Sequence, residues 1–332
     1  MVAVYATDVA CTNSRPFEVD VSLTWGVWFE PTQPVQRICE LAQLAESLGA
    51  KVCLIADEGT ERDLYVTLTA VLLATDSMTV GPGITNPFSR HPVTTAAAIA
   101  TLDEMAPGRV WHGLGVGGSR VLEPLGMNPD QPYTALKKAF IENRDLLTGS
   151  SVGPARLPWH RGQVPTAMAG RGPRVQQLAA EEADWVILSA KALNELPATA
   201  RRVRAAGNAQ IGWSAYLAYN AQERHRVLRH FSYMAVDAPA DLREEIGLDD
   251  RAASRAKEAM LKGDLEESVR HLPESLVDRY AVTGTPAECA LLIAEHQPHF
   301  DLFLLPMNDE TECEAHIRSS AAILNQASCA RD

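Results

Sequence analysis

Two carboxylates stand where acid–base work can be done. Glu30 follows the apolar run Leu23–Phe29, and Glu58 follows KVCLIA at Lys51–Ala56 with Asp57 between. Acids in unlike surroundings hold separated pKa values and can divide proton donation and acceptance. A different chemistry is suggested by Gly170-Arg171-Gly172-Pro173, which runs straight into a helical pattern from Arg174. Backbone N–H groups at a helix start attract an anion, and glycine lets it come close. Arg171 or Arg174 would add charge, so the turn suits a phosphate; it also reads as a plain turn with Pro at the first helical position. A second glycine run, Gly115-Val116-Gly117-Gly118-Ser119, follows another strand-like stretch. Between Gly83 and His91 lies a polar corner with Thr85, Asn86 and Arg90, where a His before Pro reads first as a structural hydrogen-bonder.

These residues need a scaffold that gathers them. Apolar runs at Leu23–Phe29, Lys51–Ala56, Met78–Gly83, Arg109–Gly115, Val164–Ala169, Asp184–Ser189, Gln210–Leu217 and Phe300–Leu305 read as buried parallel strands. Helical spacing separates them. Ile38, Leu41, Ala42, Ala45 and Leu48 share one face before Gly49, and Leu136, Ala139, Phe140, Asn143 and Leu147 share another. Further helices are predicted over Leu64–Ala74, Thr94–Met105, Arg174–Glu182, Ala192–Ala206 and Glu312–Asn325. Thr285-Pro286 with Glu288 opens one more as a capping box. Eight strands alternating with helices predict an α/β chain forming a single (β/α)8 TIM barrel over residues 21–330. A helical insertion at about 220–280 lies between strands seven and eight, and residues 1–20 are an N-terminal extension. Active sites of such barrels lie at the C-terminal ends of the strands, and every stretch named above falls there. In strands side chains alternate, so one of Trp111 and His112 points inward, and Trp25 and Trp28 take opposite faces. Trp185 and Trp213 are candidates to wall a pocket or to serve as core.

Three segments carry a likeness to a known family: TNPFSRHP at Thr85–Pro92, AAAIATLDEMAPGR at Ala96–Arg109 and GLGVGGS at Gly113–Ser119. The chain resembles the bacterial-luciferase-like superfamily, and within it the coenzyme F420-dependent branch that includes methylenetetrahydromethanopterin reductase. The resemblance implies an oxidoreductase that passes a hydride between F420 and a small organic substrate. An FMN-dependent monooxygenase using reduced flavin and oxygen is the alternative, and a cofactor-free, non-catalytic barrel is a third reading. It further implies a non-prolyl cis peptide at Gly83–Ile84 backing the ring, with Thr85 and Asn86 at the ring edge. Gly115 and Gly117 would line the cofactor, Asp57 would tie down its loop, and Gly170, Arg171, Gly172 and Pro173 would dock its phosphate. Many relatives carry Asp-His where this chain has Asp57-Glu58, so an imidazole role does not transfer. Glu58 and Glu30 are the candidate proton carriers. A homodimer is implied by the same resemblance.

Bulk properties limit the rest. A formal charge of −12 over 332 residues disfavours a nucleic-acid partner. No apolar run is long enough to cross a bilayer, and the first residues lack a basic start and apolar core, so a cytoplasmic chain is expected. Cys11, Cys39, Cys53, Cys289, Cys313 and Cys329 have neither zinc-knuckle nor redox spacing. H-E-x-x-H and G-x-S-x-G are absent, which leaves zinc and serine hydrolysis without support.

Overall fold

The computed structural model describes residues 23–236, 240–307 and 313–329. The extension expected at 1–20 lies outside them. Seven strands run in order through the first two-thirds of the chain: β1 (Trp25–Phe29), β2 (Val52–Ile55), β3 (Thr79–Pro82), β4 (His112–Gly115), β5 (Thr166–Ala169), β6 (Trp185–Ser189) and β7 (Gln210–Ser214). Two short ones, β8 (Tyr216–Ala218) and β9 (Ala281–Thr283), precede the last, β10 (Leu302–Met307). The main sheet is parallel, in the order β3-β2-β1-β10-β7-β6-β5-β4. Its outer strands meet through bridges Val80↔Val110 and Thr85↔Leu114, which closes the barrel. Helices Val35–Ser47, Leu64–Ala74, Pro92–Met105, Pro132–Leu147, Pro173–Glu182, Leu196–Ala206, Pro286–His296 and Cys313–Cys329 wrap it. The eight-stranded TIM barrel expected from the sequence is the observed architecture.

Side-chain alternation divides the strands between two cores. Trp25, Val27 and Phe29 of β1 and Cys53 and Ile55 of β2 pack outward against the helices. The barrel interior holds Val52, Leu54, Trp111, Ala167, Ala169, Ile187, Leu302 and Leu304, with Trp28, Ile84 and Trp185 packed on them. Trp111 therefore points in, stacked on Trp185 at 5.3 Å between centroids. Trp185 begins β6, so it sits at the closed floor of the barrel, away from the mouth. Trp213 belongs to the outer layer, against Phe300 and Phe303. Neither walls a mouth pocket, which settles that pair as core.

Strand seven is shorter than its apolar run. It leaves the barrel at Ala215, and Tyr216–Ala218 pairs instead with Ala281–Thr283 in a separate parallel ladder. Between these strands run helices Ala221–Val236, Ala240–Ile246, Asp250–Leu261, Leu265–Val269 and Ser275–Tyr280. They share their own apolar core, including Val227, Phe231, Ile246, Ala256, Leu276 and Val277. The ladder is the seam: Leu217 and Val282 face the barrel's core, whereas Ala218 and Ala281 face the insertion's. Polar ties reinforce it. Arg279 lies 3.0 Å from Glu195 after β6, and the buried pair His316–Glu223 joins the last barrel helix to the insertion at 2.9 Å. The Thr285–Glu288 capping box forms with both reciprocal bonds.

His112 points outward and is fully buried. Asn143 Nδ2, which can only donate, lies 2.9 Å from His112 Nε2, so that nitrogen accepts and the ring is neutral. Burial pushes its pKa down to about 4. A depressed histidine leaves stability unaffected above the unfolded value of about 6.5 and removes it as pH falls toward the folded value, because the unfolded chain then binds the extra proton. We predict a loss of about 3 kcal/mol from this source between about pH 6.5 and 4. His112→Gln, which keeps a partner for Asn143 and does not titrate, should flatten that part of the curve in denaturant titrations across pH. An unchanged slope would show that His112 is not its source.

Candidate active site at the barrel mouth

The mouth is built around a mismatch between β3 and β4. Val80 N–H donates to Arg109 O (2.8 Å) and Val80 O accepts from Trp111 N (3.1 Å). Pairing then lapses and resumes at Thr85, which donates to Gly113 O (3.1 Å) and accepts from Gly115 N (2.9 Å). Five steps along β3 thus span four along β4, a one-residue bulge. The Gly83–Ile84 peptide in this bulge is cis. The bulge turns Ile84 into the barrel, and the facing strand makes room for it. Ile84 Cδ1 fills the space that a Cβ on Gly115 would need, and Ile84 Cγ2 lies 3.1 Å from the Cβ position of Gly113. At Gly83 a Cβ would lie 2.5 Å from Leu54 Cβ and 3.0 Å from Trp28 Nε1.

Beyond the bulge, Thr85 and Asn86 are buried. The Thr85 hydroxyl donates to Asp57 Oδ2 at 2.7 Å, pinning the loop after β2 to the bulge. Asn86 Oδ1 accepts from Phe88 N and Ser89 N, both at 2.9 Å, so its carbonyl is spent on its own turn. His91 Nδ1 accepts from Val93 N at 3.2 Å and caps helix Pro92–Met105. Its structural reading therefore holds. Arg90 lies over the Tyr65 ring, 4.4 Å from the centroid.

The glycine turn after β5 stands on the same rim. The Cβ position of Gly115 is 3.1 Å from Ala169 O, so bulge, glycine loop and β5 end are contiguous. Gln176 is buried and its Nε2 donates to Gly170 O (3.2 Å) and Arg171 O (3.1 Å), while Arg202 holds its Oε1 at 2.7 Å. With those carbonyls engaged, the turn's shape is fixed from below. Gly172 precedes the helix with no side-chain cap, and a Cβ there would meet nothing within 4 Å. First-turn amides in that position have no intrahelical acceptor. Arg171 is exposed, and Arg174 is laid over the Tyr133 ring at 4.3 Å. Glu30 and Glu58 are half-buried at the ends of the adjacent strands β1 and β2. Among the described residues no group of three or more His, Cys, Asp or Glu side chains is placed to hold a metal ion.

The model of the family described as luciferase-like monooxygenase matches residues 17–298. The chain belongs to this family. 5,10-Methylenetetrahydromethanopterin reductase of Methanolobus tindarius is 28% identical over 294 residues, which cover 82% of this chain and 90% of that protein. Among solved structures, the coenzyme F420-dependent tetrahydromethanopterin reductase from Methanopyrus kandleri superposes with a TM-score of 0.79 at 21% identity, covering 90% of this chain and 97% of that one. An F420-dependent secondary alcohol dehydrogenase in complex with an F420–acetone adduct gives 0.72 at 17% identity, covering 92% and 99%.

Of the luciferase-like residues named from the sequence, Gly83, Ile84, Thr85, Asn86, Asp57, Gly115 and Gly170–Pro173 come together on one rim, with Glu30 and Glu58 on the neighbouring strands. Gly117 follows on the β4 loop at φ +72°, its Cβ position 3.1 Å from Asn86 Cβ. Gln176, Tyr65 and Gly113 escaped the sequence reading. A glutamine inside a helix and a tyrosine on a helix face carry no local signal, but Gly113, two residues before Gly115, shares its face by strand alternation. Gly115→Ala should push Ile84 out of its seat, an overpacking cost of about 1–3 kcal/mol. Thermal melts would register the loss, and an unaltered melting temperature would show that Ile84 is free to move.

Proposed function

We propose that this chain is an F420-dependent oxidoreductase that moves a hydride between the deazaflavin and a small organic substrate at the barrel mouth. The observation that carries the reading is the joining, on one rim, of a recessed bulge at Gly83–Asn86 with the uncapped, glycine-opened helix start at Gly172. A flat ring needs the first, and an anionic tail needs the second. The relatives point the same way: both superposed structures are of F420-dependent enzymes, as is a similar hydroxymycolic acid dehydrogenase of Mycobacterium tuberculosis.

When bound, F420 supplies the hydride-carrying ring carbon, and the protein's share is orientation, dryness and protons. Gly83 and Ile84 would back the ring, and Thr85, Asn86, Gly115 and Gly117 would border it. Gly170, Arg171, Gly172 and Pro173 would hold the tail phosphate. Asp57, fixed by the Thr85 hydroxyl, keeps the β2 loop in place. Glu58 takes the position of the family's histidine and moves a proton to or from the substrate, and Glu30 is the second acid. Trp28, Ile84 and Leu54 close the barrel beneath and keep water away.

A fluorescence titration with F420 tests binding, and turnover is read as the return of oxidised F420 absorbance when substrate is added to the reduced cofactor. Oxygen uptake with reduced FMN alone would support the monooxygenase instead. Binding of neither at micromolar levels would leave a non-catalytic barrel. Glu58→Gln should lower kcat by about 10²-fold with F420 affinity changed by less than about threefold, as expected of a lost general acid–base group. An unchanged kcat would remove Glu58 from the mechanism.

The same reading includes a homodimer. Helices Leu64–Ala74 and Pro92–Met105 turn an almost uncharged face outward, with Val66 64% and Leu73 68% exposed. Val66→Glu with Leu73→Glu should halve the mass found by light scattering, and a monomeric wild type would refute the dimer. Among the described residues no helix is long and apolar enough to cross a membrane. Among the described residues Cys39, Cys53, Cys289, Cys313 and Cys329 form no disulfide, which accords with a reducing, cytoplasmic compartment.

A further inference from the structure

Trp28 is an interior side chain that still reaches the mouth. It points inward from β1 and packs on the interior cluster, yet it is only half-buried, while Leu54 beside it is fully buried. Register sets Trp28 level with Leu54 on β2 and Gly81 on β3. Its indole nevertheless ends two residues nearer the mouth, with Nε1 3.0 Å from the position that a Cβ on Gly83 would take. Two strand spacings separate β1 from β3, roughly 10 Å across the sheet. The indole therefore lies over Leu54 and joins β1 to the bulge. Its N–H can only donate. Nε1 of Trp111 and of Trp213 is also unpaired, but both atoms are sealed from solvent. Trp28 Nε1 bonds to no described residue and is not sealed. Beneath it Val52, Trp111, Ala167 and Leu302 are buried and fill the barrel, so its way out is the mouth. A free donor thus stands at the edge of the surface made by Gly83 and Ile84.

We propose that Trp28 is a binding residue for the flat redox ring that the mouth receives, its indole N–H donating to a carbonyl oxygen or ring nitrogen on that ring's edge. Deazaflavins and flavins both carry such acceptors along their pyrimidine-like end. A ring lying on Gly83 and Ile84 meets the indole at its border, because Nε1 stands beside Gly83. In the free protein water takes the donor; in the complex the ring edge takes it. The surroundings are apolar, with Leu54 and Ile84 on either side. One donor in an apolar wall fixes which way a flat ligand lies, as single polar groups do in apolar pockets. Gly83 also keeps the donor in place, since a methyl there would press on Nε1. That the ring is F420 rests on the functional reading above.

Indole N–H resonances of the ¹⁵N-labelled full chain test this. The chain has six tryptophans, and the resonance missing from Trp28→Phe, or from Trp28→Tyr, is that of Trp28. Without cofactor its hydrogen should exchange with water at least about tenfold faster than those of Trp111 and Trp213. Oxidised F420 should shift this resonance downfield and slow its exchange by about tenfold, with the other five almost unmoved. Trp28→Phe, which keeps an aromatic ring and loses the donor, should raise the dissociation constant for F420 by about fivefold, the loss expected of one hydrogen bond. F420 that binds and leaves the Trp28 resonance where it was overturns the proposal, as does a Trp28 hydrogen as protected in the free protein as that of Trp111. Should F420 fail to bind, the titration is repeated with FMN. A Trp28 shift with FMN alone defeats the F420 reading and upholds the role of Trp28, whereas binding of neither ring overturns both.

Discussion

The mouth depends on one mismatch: β3 carries one more residue than β4 can pair. The surplus residue must go somewhere, and the strand on either side is held in register by main-chain bonds at Val80 and Thr85. Ile84 is therefore driven inward, and the inward face of β4 has lost its side chains to receive it. Gly113 and Gly115 are permissive in a steric sense, since their missing methyls are what the isoleucine occupies. Thr85, at the point where pairing resumes, is then placed to take hold of Asp57. Barrel closure, the inward turn of Ile84 and the anchoring of the β2 loop thus share one cause.

Electrostatics follows from the same arrangement. The barrel walls are apolar and the acids sit at strand ends, so charge is confined to the mouth. Helix starts around that rim add a positive field, most plainly at Gly172, where no side chain has claimed the first-turn amides. Gln176 supports this by engaging the carbonyls of Gly170 and Arg171 from below. Arg174 lies over the Tyr133 ring, and both it and Arg171 are exposed beside the glycines.

Much of this was legible in the chain itself, for physical reasons. Parallel barrel strands are buried on both faces, so each appears as an unbroken apolar run, and turn glycines and the Thr285 cap mark the helix boundaries. Where that rule holds for more than one sheet, it misleads: the run Gln210–Leu217 is continuous because it serves the barrel and then the β8–β9 ladder, and its second partner lies far downstream. The direction of Trp111 against His112 was undecidable from alternation alone, because either phase buries an aromatic ring. The contacts resolve it, with Trp111 on Trp185 and His112 on Asn143. Tyr65 and Gln176 were invisible for another reason. Tyr65 meets Arg90 only once the barrel brings their segments together, and Gln176 turns back onto the carbonyls of Gly170 and Arg171, which its place inside a helix does not announce.

The β8–β9 ladder has a consequence for how such a molecule can diversify. It joins three residues on each side through main-chain bonds, which are indifferent to side-chain identity. Whatever chain lies between its two roots can lengthen, shorten or be replaced, provided that two brief parallel segments still meet there. The helices between the two roots have their own apolar core, so they can be exchanged as a unit while the barrel's core stays as it is.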